Sequence, residues 1–160
     1  MSVNVRLAKV EEIKIIQDLN HELFVSDSQY ADDLINDWPY GEKGTAYFKG
    51  VISGEIGVCF VAELDREIVG YLAGYSHPPR ASHAGKRAEL DNMLVKEEYR
   101  SQGVGAALVE EFLKWCKENK FDYVTVGSFT GNDRAIKFYK KFGFEDYELI
   151  QKLTLNVKTQ

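Results

Sequence analysis

The chain has 160 residues, 44% of them hydrophobic and 28% charged, which is ordinary globular usage and argues against disorder. That length fits one domain with its own core, taken as residues 1–160. A formal net charge of -5 and a pI near 5.3 argue against a nucleic-acid or anionic-membrane surface as the main partner, while leaving a cationic substrate open.

The start, Met1-Ser2-Val3-Asn4-Val5-Arg6, lacks the apolar core of a signal peptide, and no apolar run approaches membrane-spanning length. The expectation is a soluble, cytoplasmic protein. Val3–Ala8 alternates as a short strand. Val10–Phe24 places Ile13, Ile16, Leu19 and Leu23 at helical spacing, with acidic residues near its start. Ser26–Trp38 is irregular and acidic and leaves room for a second short helix ending before Pro39. Pro39-Tyr40-Gly41 breaks the chain, and Thr45–Ser53 reads as a further helix.

Gly57–Leu64 and Glu67–Ser76 are apolar, β-rich runs joined by Asp65-Arg66, the pattern of a tight hairpin. His77 through Lys86 is a loop and Arg87–Val95 the next strand. The helix Gly103–Asn119 lines up Val104, Leu108, Phe112, Trp115 and Cys116. Tyr123–Ser128 reads as a strand, Asn132–Phe142 as a helix with Gly143 as its cap, and Tyr147–Val157 as a final strand. The order β, helices, β-β-β, α, β, α, β predicts an α/β protein with a mixed sheet and helices on both faces. It is not the regular alternation of a dinucleotide-binding domain.

Both cysteines, Cys59 and Cys116, sit inside apolar patterns and read as buried thiols. There is no His-x-x-x-His or Cys-x-x-Cys pattern, so no metal is expected. The most informative stretch is Leu94 to Leu108, a strand, a turn with Gly103 and Gly105, and a helix that starts at once. Such a junction aims unpaired N–H groups and a positive dipole end at one point, which suits a phosphate. Read alone, it is equally a tight structural turn. Its Arg100-Ser101-Gln102-Gly103-Val104-Gly105 lacks the Gly-Lys-Ser/Thr ending of a nucleotide loop, which disfavours ATP hydrolysis.

Arg-x-x-Gly-x-Gly between a strand and a long amphipathic helix resembles the pyrophosphate motif of the GNAT superfamily of acyl-CoA-dependent N-acetyltransferases. Asn132 to Phe144 is similar to that family's second signature, and the resemblance covers roughly Cys59 to Leu155. It implies the family's three-layer fold, with a mixed, mostly antiparallel sheet of about six to seven strands. It further implies acetyl-CoA as co-substrate and a primary amine, small-molecule or peptide, as acceptor. By the resemblance, the backbone of Arg100, Ser101, Gln102, Gly103, Val104, Gly105 and Ala106 cradles the pyrophosphate. Met93, Leu94 and Val95 run beside the pantetheine arm, with the Met93 amide on the thioester oxygen. Asn132 contacts that arm, and Tyr139, seven residues on and so on the same helix face, protonates the departing thiolate. Glu97 and Ser101 stand where the family often has proline and glycine.

A base is needed because an alkylammonium cannot attack before losing a proton. Glu89 and Asp91 alternate on one face of the strand before the turn, with Met93 expected on that face too. Glu89 stands eleven residues before Arg100, the offset of a catalytic glutamate in some family members. Asp91 and a water chain are the alternatives. Asp27, Asp32, Asp33 and Asp37 beside Tyr30 and Trp38 offer a place for a cationic amine, or simply a solvated face. The resemblance is compatible with a homodimer, though no interface is marked. Two other readings stay open: an acyl-CoA sensor on the same fold that turns nothing over, and a nucleotide-binding regulator.

Overall fold

Asp65 and Arg66 both take positive φ, 48° and 68°, the paired left-handed conformation that lets a two-residue turn follow the right-handed twist of its strands. That turn joins the long central hairpin, and the sheet grows outward from it. A computed structural model describes residues 2–156. In chain order it contains β1 (Asn4–Leu7), α1 (Ile13–Asp27), α2 (Glu42–Ser53), β2 (Gly57–Leu64), β3 (Glu67–Ser76), β4 (Arg87–Val95), α3 (Val104–Glu118), β5 (Tyr123–Val126) and α4 (Asp133–Lys140). The strands lie in the order β1-β2-β3-β4-β5; all neighbours are antiparallel except β4 and β5, which are parallel.

Each sheet face buries its own core. On one face Val58, Phe60, Leu72, Ala88 and Leu90 pack under Val104, Leu108, Val109, Phe112 and Cys116 of α3. On the other, Cys59, Val61, Tyr71, Ala73 and Leu94 pack under Ile16 and Leu19 of α1 and Phe48 and Val51 of α2. The two thiols therefore lie on opposite sides of the sheet, both free and buried, and burial pushes both up to about 12. Helix α3 sits so close to β3 that a Cβ added at Gly74 would lie 2.2 Å from Phe112.

Two β-bulges interrupt the alternation. Ala62 faces Gly70 while Glu63 faces Ile68, leaving Val69 over. Ala73 faces Asn92 while Gly74 faces Leu90, leaving Asp91 over. An extra residue reverses the side on which the following residues project. So Ala88 and Leu90 face α3, as does Met93, whereas Leu94 faces α1 and α2.

Two expectations fail. Beyond Asp27, where α1 ends, residues 28–37 form turns with no second helix, followed by a short 3-10 turn at Trp38–Tyr40. Among the described residues the sheet has five strands instead of six or seven, because residues 147–156 form no strand and lie exposed. Val157, the last residue of that expected strand, lies outside the described residues.

Candidate active site

The ladder between β4 and β5 is short. Arg87 to Leu90 pair with Tyr123 to Val126, and from Asp91 onward β4 has no partner on that side among the described residues. The sheet is open along that edge, and the turn that leads into α3 follows the end of β4. Arg100 Nε donates to the Val95 carbonyl at 2.8 Å, folding the turn back on the strand. Ser101 (φ 60°) and Gly103 (φ 83°) are both left-handed. Gly103 is the natural occupant of such a position, and the space where its Cβ would be is open for 4 Å around. The first backbone bond of α3 runs from Ala107 N to Gly103 O, at 3.0 Å. The N–H groups of Val104, Gly105 and Ala106 thus have no partner inside the helix and add to its positive end. The Val104 side chain is core, so only its backbone faces the turn. A Cβ on Gly105 would press on the Phe138 ring at 3.3 Å, which draws α4 against the start of α3.

At the bulge a run of hydrogen bonds converges on Asp91. Asn20 Nδ2 donates to the Tyr71 hydroxyl at 2.8 Å, and that hydroxyl donates to Asn92 Oδ1 at 2.6 Å. Asn92 Nδ2 then donates to the Tyr47 hydroxyl at 3.0 Å, and Tyr47 donates to the Asp91 carboxylate. Every donor points toward the one charge, so each bond polarises the next. Desolvation nevertheless raises the Asp91 pKa, ahead of the opposing Tyr47 hydrogen bond. Burial and the Asp91 charge push Tyr47 far up, so its hydroxyl remains a donor.

Glu89, two residues earlier and on the same face, meets His77 Nε2 at 2.5 Å. His77 in turn sits edge-on to Tyr75, with ring centroids 4.9 Å apart. Arg87, the other partner open to Glu89, instead donates to Thr125 Oγ1 at 3.3 Å.

Tyr139 is half-buried in α4, its ring edge-on to Phe138 and Phe144. Burial pushes its hydroxyl up to about 12, and the Asp27 charge adds to this. Asp27 ends α1, which packs on the opposite face of the sheet from α4. The two approach each other where the sheet is open. Tyr30, just past α1, stacks on Phe129, just past β5, with centroids 6.1 Å apart. Asn132 caps α4: its Oδ1 accepts from Ala135 N at 3.1 Å.

The fold therefore brings Glu89 and Asp91 together beside the opening and sets the Gly103 turn beyond it, with Tyr139 on the helix whose Phe138 packs against the start of α3. Met93 departs from expectation. The Asp91 bulge turns its side chain to the α3 face, away from Glu89. Leu94 is core, and Val95 is half-buried near Gly105. The acidic stretch does not form one cluster. Asp33 and Asp32 pair with Lys152 at 3.1 and 3.9 Å, Asp37 lies 3.6 Å from His21, and Trp38 stacks on Phe24. Asn20, Tyr47, Tyr71, Asn92 and His77 escape a reading of the chain alone. Their spacings carry no motif, and a bulge leaves no mark in hydrophobic alternation this short.

A family model described as the acetyltransferase (GNAT) family matches residues 13–144. The N-alpha-acetyltransferase of Sulfurisphaera tokodaii is 33% identical over 98 residues, covering 58% of this chain and 59% of that relative. The chain thus spans about three fifths of the length of that curated relative. Among solved structures, a protein from Bacillus halodurans matches with TM-score 0.80 at 20% identity, over 96% of this chain and 99% of that one. An aminoglycoside N-acetyltransferase in complex with CoA matches with TM-score 0.72 at 14% identity, over 98% and 96%. At those identities the structural likeness speaks for the fold alone. No helix among the described residues is long and apolar enough to cross a membrane.

Proposed function

We propose that this chain, which belongs to the acetyltransferase (GNAT) family, moves an acetyl group from acetyl-CoA to the nitrogen of a primary amine by direct attack. The observation that carries the reading is the early end of the β4–β5 ladder at Leu90 and Val126. It leaves backbone groups of Asp91 to Val95 free to pair with the amide-rich pantetheine arm. At the end of that edge, the free N–H groups of Val104 to Ala106 and the open space over Gly103 fit a pyrophosphate. The donor supplies an activated thioester carbonyl.

The chain's own residues then have separate tasks. The Met93 backbone N–H steadies charge on the carbonyl oxygen. Asp91, held by Tyr47, receives the ammonium of the acceptor, and Glu89 takes its proton directly or through water, with His77 as the next station. Tyr139 keeps its proton across the physiological range and delivers it to the departing sulfur. The Asn132 side chain is committed through Oδ1 to the α4 cap, which leaves its amide for the pantetheine arm. Positioning supplies much of the rate, and no covalent enzyme intermediate is required. Residues 1–160 act as one catalytic domain. Acceptor and donor meet from opposite sides of the sheet, and the working form is a homodimer with no nucleic acid or membrane as partner.

The test is release of CoA thiol across a panel of amines, beginning with polyamines and peptides. Cys59 and Cys116 are 2% and 3% exposed, so they contribute no background in the native protein. Turnover with any primary amine supports the reading. CoA binding without turnover across the panel leaves a sensor, and protection by ATP without protection by CoA leaves a nucleotide regulator.

A further inference from the structure

We propose that Arg87 binds a carboxylate of the acceptor, so that the amine acetylated here belongs to a molecule carrying a negative group about 7 Å or more from its nitrogen. The inference rests on the acetyl-transfer reading of the same site and specifies its acceptor. Arg87 and Glu89 lie on one face of β4, because Ala88 and Leu90 are packed under α3 on the other. Tyr123 and Thr125, their register partners on β5, face the same way, since Val124 and Val126 also lean on the α3 core. Among the described residues, the core under α1 and α2 takes only Leu94 from β4 and nothing from β5. This end of the sheet therefore lacks an apolar cover. It presents a strip of polar side chains, Tyr75, His77, Arg87, Glu89, Tyr123 and Thr125, each half-buried.

Arg87 is the member of the strip whose charge has no counterpart. Glu89 is taken by His77 at 2.5 Å, and Asp91 beyond it by the Tyr47 hydroxyl. Among the described residues Arg87 forms no ion pair, and its one side-chain hydrogen bond runs from Nη1 to the neutral Thr125 hydroxyl at 3.3 Å. Its Nε is cut off from water and donates to nothing. A half-buried guanidinium with unused donors bears a desolvation cost that an arriving acceptor offsets. Nε and Nη2, the donors left over, form the edge that grips a carboxylate through two parallel hydrogen bonds. The Thr125 bond is long, so the fork can turn toward a stronger acceptor.

The place of Arg87 along the strand sets the length of the molecule. It stands two residues before Glu89, about 7 Å away, on the side opposite the Gly103 turn. The donor comes from the turn, so the body of the acceptor extends toward Arg87. A free α-amino acid carries both charges on one carbon and is too short. An ω-amino acid spans the distance, and so does the end of a peptide with an acidic second residue. A polyamine would set an ammonium against the guanidinium, which disfavours it.

Thiol release from acetyl-CoA with matched acceptors tests this: ε-aminocaproate against its amide, and a peptide with glutamate at its second position against the same peptide with glutamine there. The charged member of at least one pair should show kcat/KM at least about tenfold higher. Which pair shows it separates a small amino acid from a peptide end. Arg87→Gln should bring that ratio to about one through KM for the acceptor, with KM for acetyl-CoA unmoved. Arg87→Lys, which keeps the charge and loses the planar fork, should keep only part of the ratio. Arg80→Gln, at an exposed cation of the neighbouring loop, should leave the ratio intact. Equal rates within both pairs, faster turnover of a diamine, or a ratio that survives Arg87→Gln would overturn the inference while leaving acetyl transfer standing. No turnover with any amine would overturn both. Should Arg87→Gln not fold, Arg87→Lys decides, an unchanged ratio counting against the assignment.

Discussion

The Tyr47 hydroxyl donates to the Asp91 carboxylate, tying α2 to the residue that bulges out within the ladder between β3 and β4. A bulge and its hydrogen-bond donor thus explain each other. The extra residue needs a partner outside the ladder, and α2 supplies one. The same contact places the Asp91 carboxylate on the same face of the strand as Glu89, beside the open edge.

Asp91→Asn should stabilise the protein at neutral pH. Desolvation raises the folded-state pKa of Asp91 above its unfolded value. The protonated form is favoured in the fold, so that contribution is present below the ordinary carboxylate range and is lost as pH rises through the raised value. Asparagine keeps an acceptor for Tyr47 and removes the charge. Asp91 keeps contact with solvent, which screens the effect, so thermal unfolding should show a small Tm gain at pH near 7, vanishing near pH 3. A loss of Tm at neutral pH would show that ionised Asp91 stabilises the fold.

Glu89→Gln should lower kcat by about 10²-fold. His77→Gln should lower kcat less while leaving KM for acetyl-CoA nearly unchanged, because His77 touches the carboxylate and lies away from the Gly103 turn. An unaltered kcat in both variants would move the base elsewhere, with Asp91 the next residue to replace.

Tyr139→Phe should reduce turnover by about 10²-fold with CoA affinity within about twofold of the unaltered chain. The hydroxyl, pushed up to about 12, stays protonated through the assay range, so no new pH dependence should appear. Thiol release at the original rate would remove the acid role.

Gly103→Glu should abolish tight CoA binding, measured by calorimetry. The substitution puts a negative charge over the turn and a side chain into a left-handed position. Gly103→Ala separates the two effects. Its Cβ meets nothing within 4 Å, so it should cost about 1 kcal/mol of stability through backbone strain and affect binding much less. Tight CoA binding by the glutamate variant would undo the assignment of the turn.

The sequence alone determines where most of this protein's helices and strands lie and where its glycine turn falls. The hairpin at Asp65-Arg66, the strand Arg87–Val95 and the start of α3 at Gly103 all follow from period-two and helical patterning with local turn chemistry, which act over a few residues. Asn132 and Tyr139 keep the spacing of a helix face for the same reason. Tertiary structure alone decides which of these residues meet. The Asp91 bulge exists only in the register with β3, and it sends Met93 to the opposite face from Glu89. Tyr47, Tyr71, Asn20 and Asn92 join across four elements, which no local period records. The last strand shows the limit most clearly. Tyr147 to Leu155 has the alternation of a strand, but alternation names a conformation and not a neighbour. Pairing needs an edge, and the edge is set by long-range geometry.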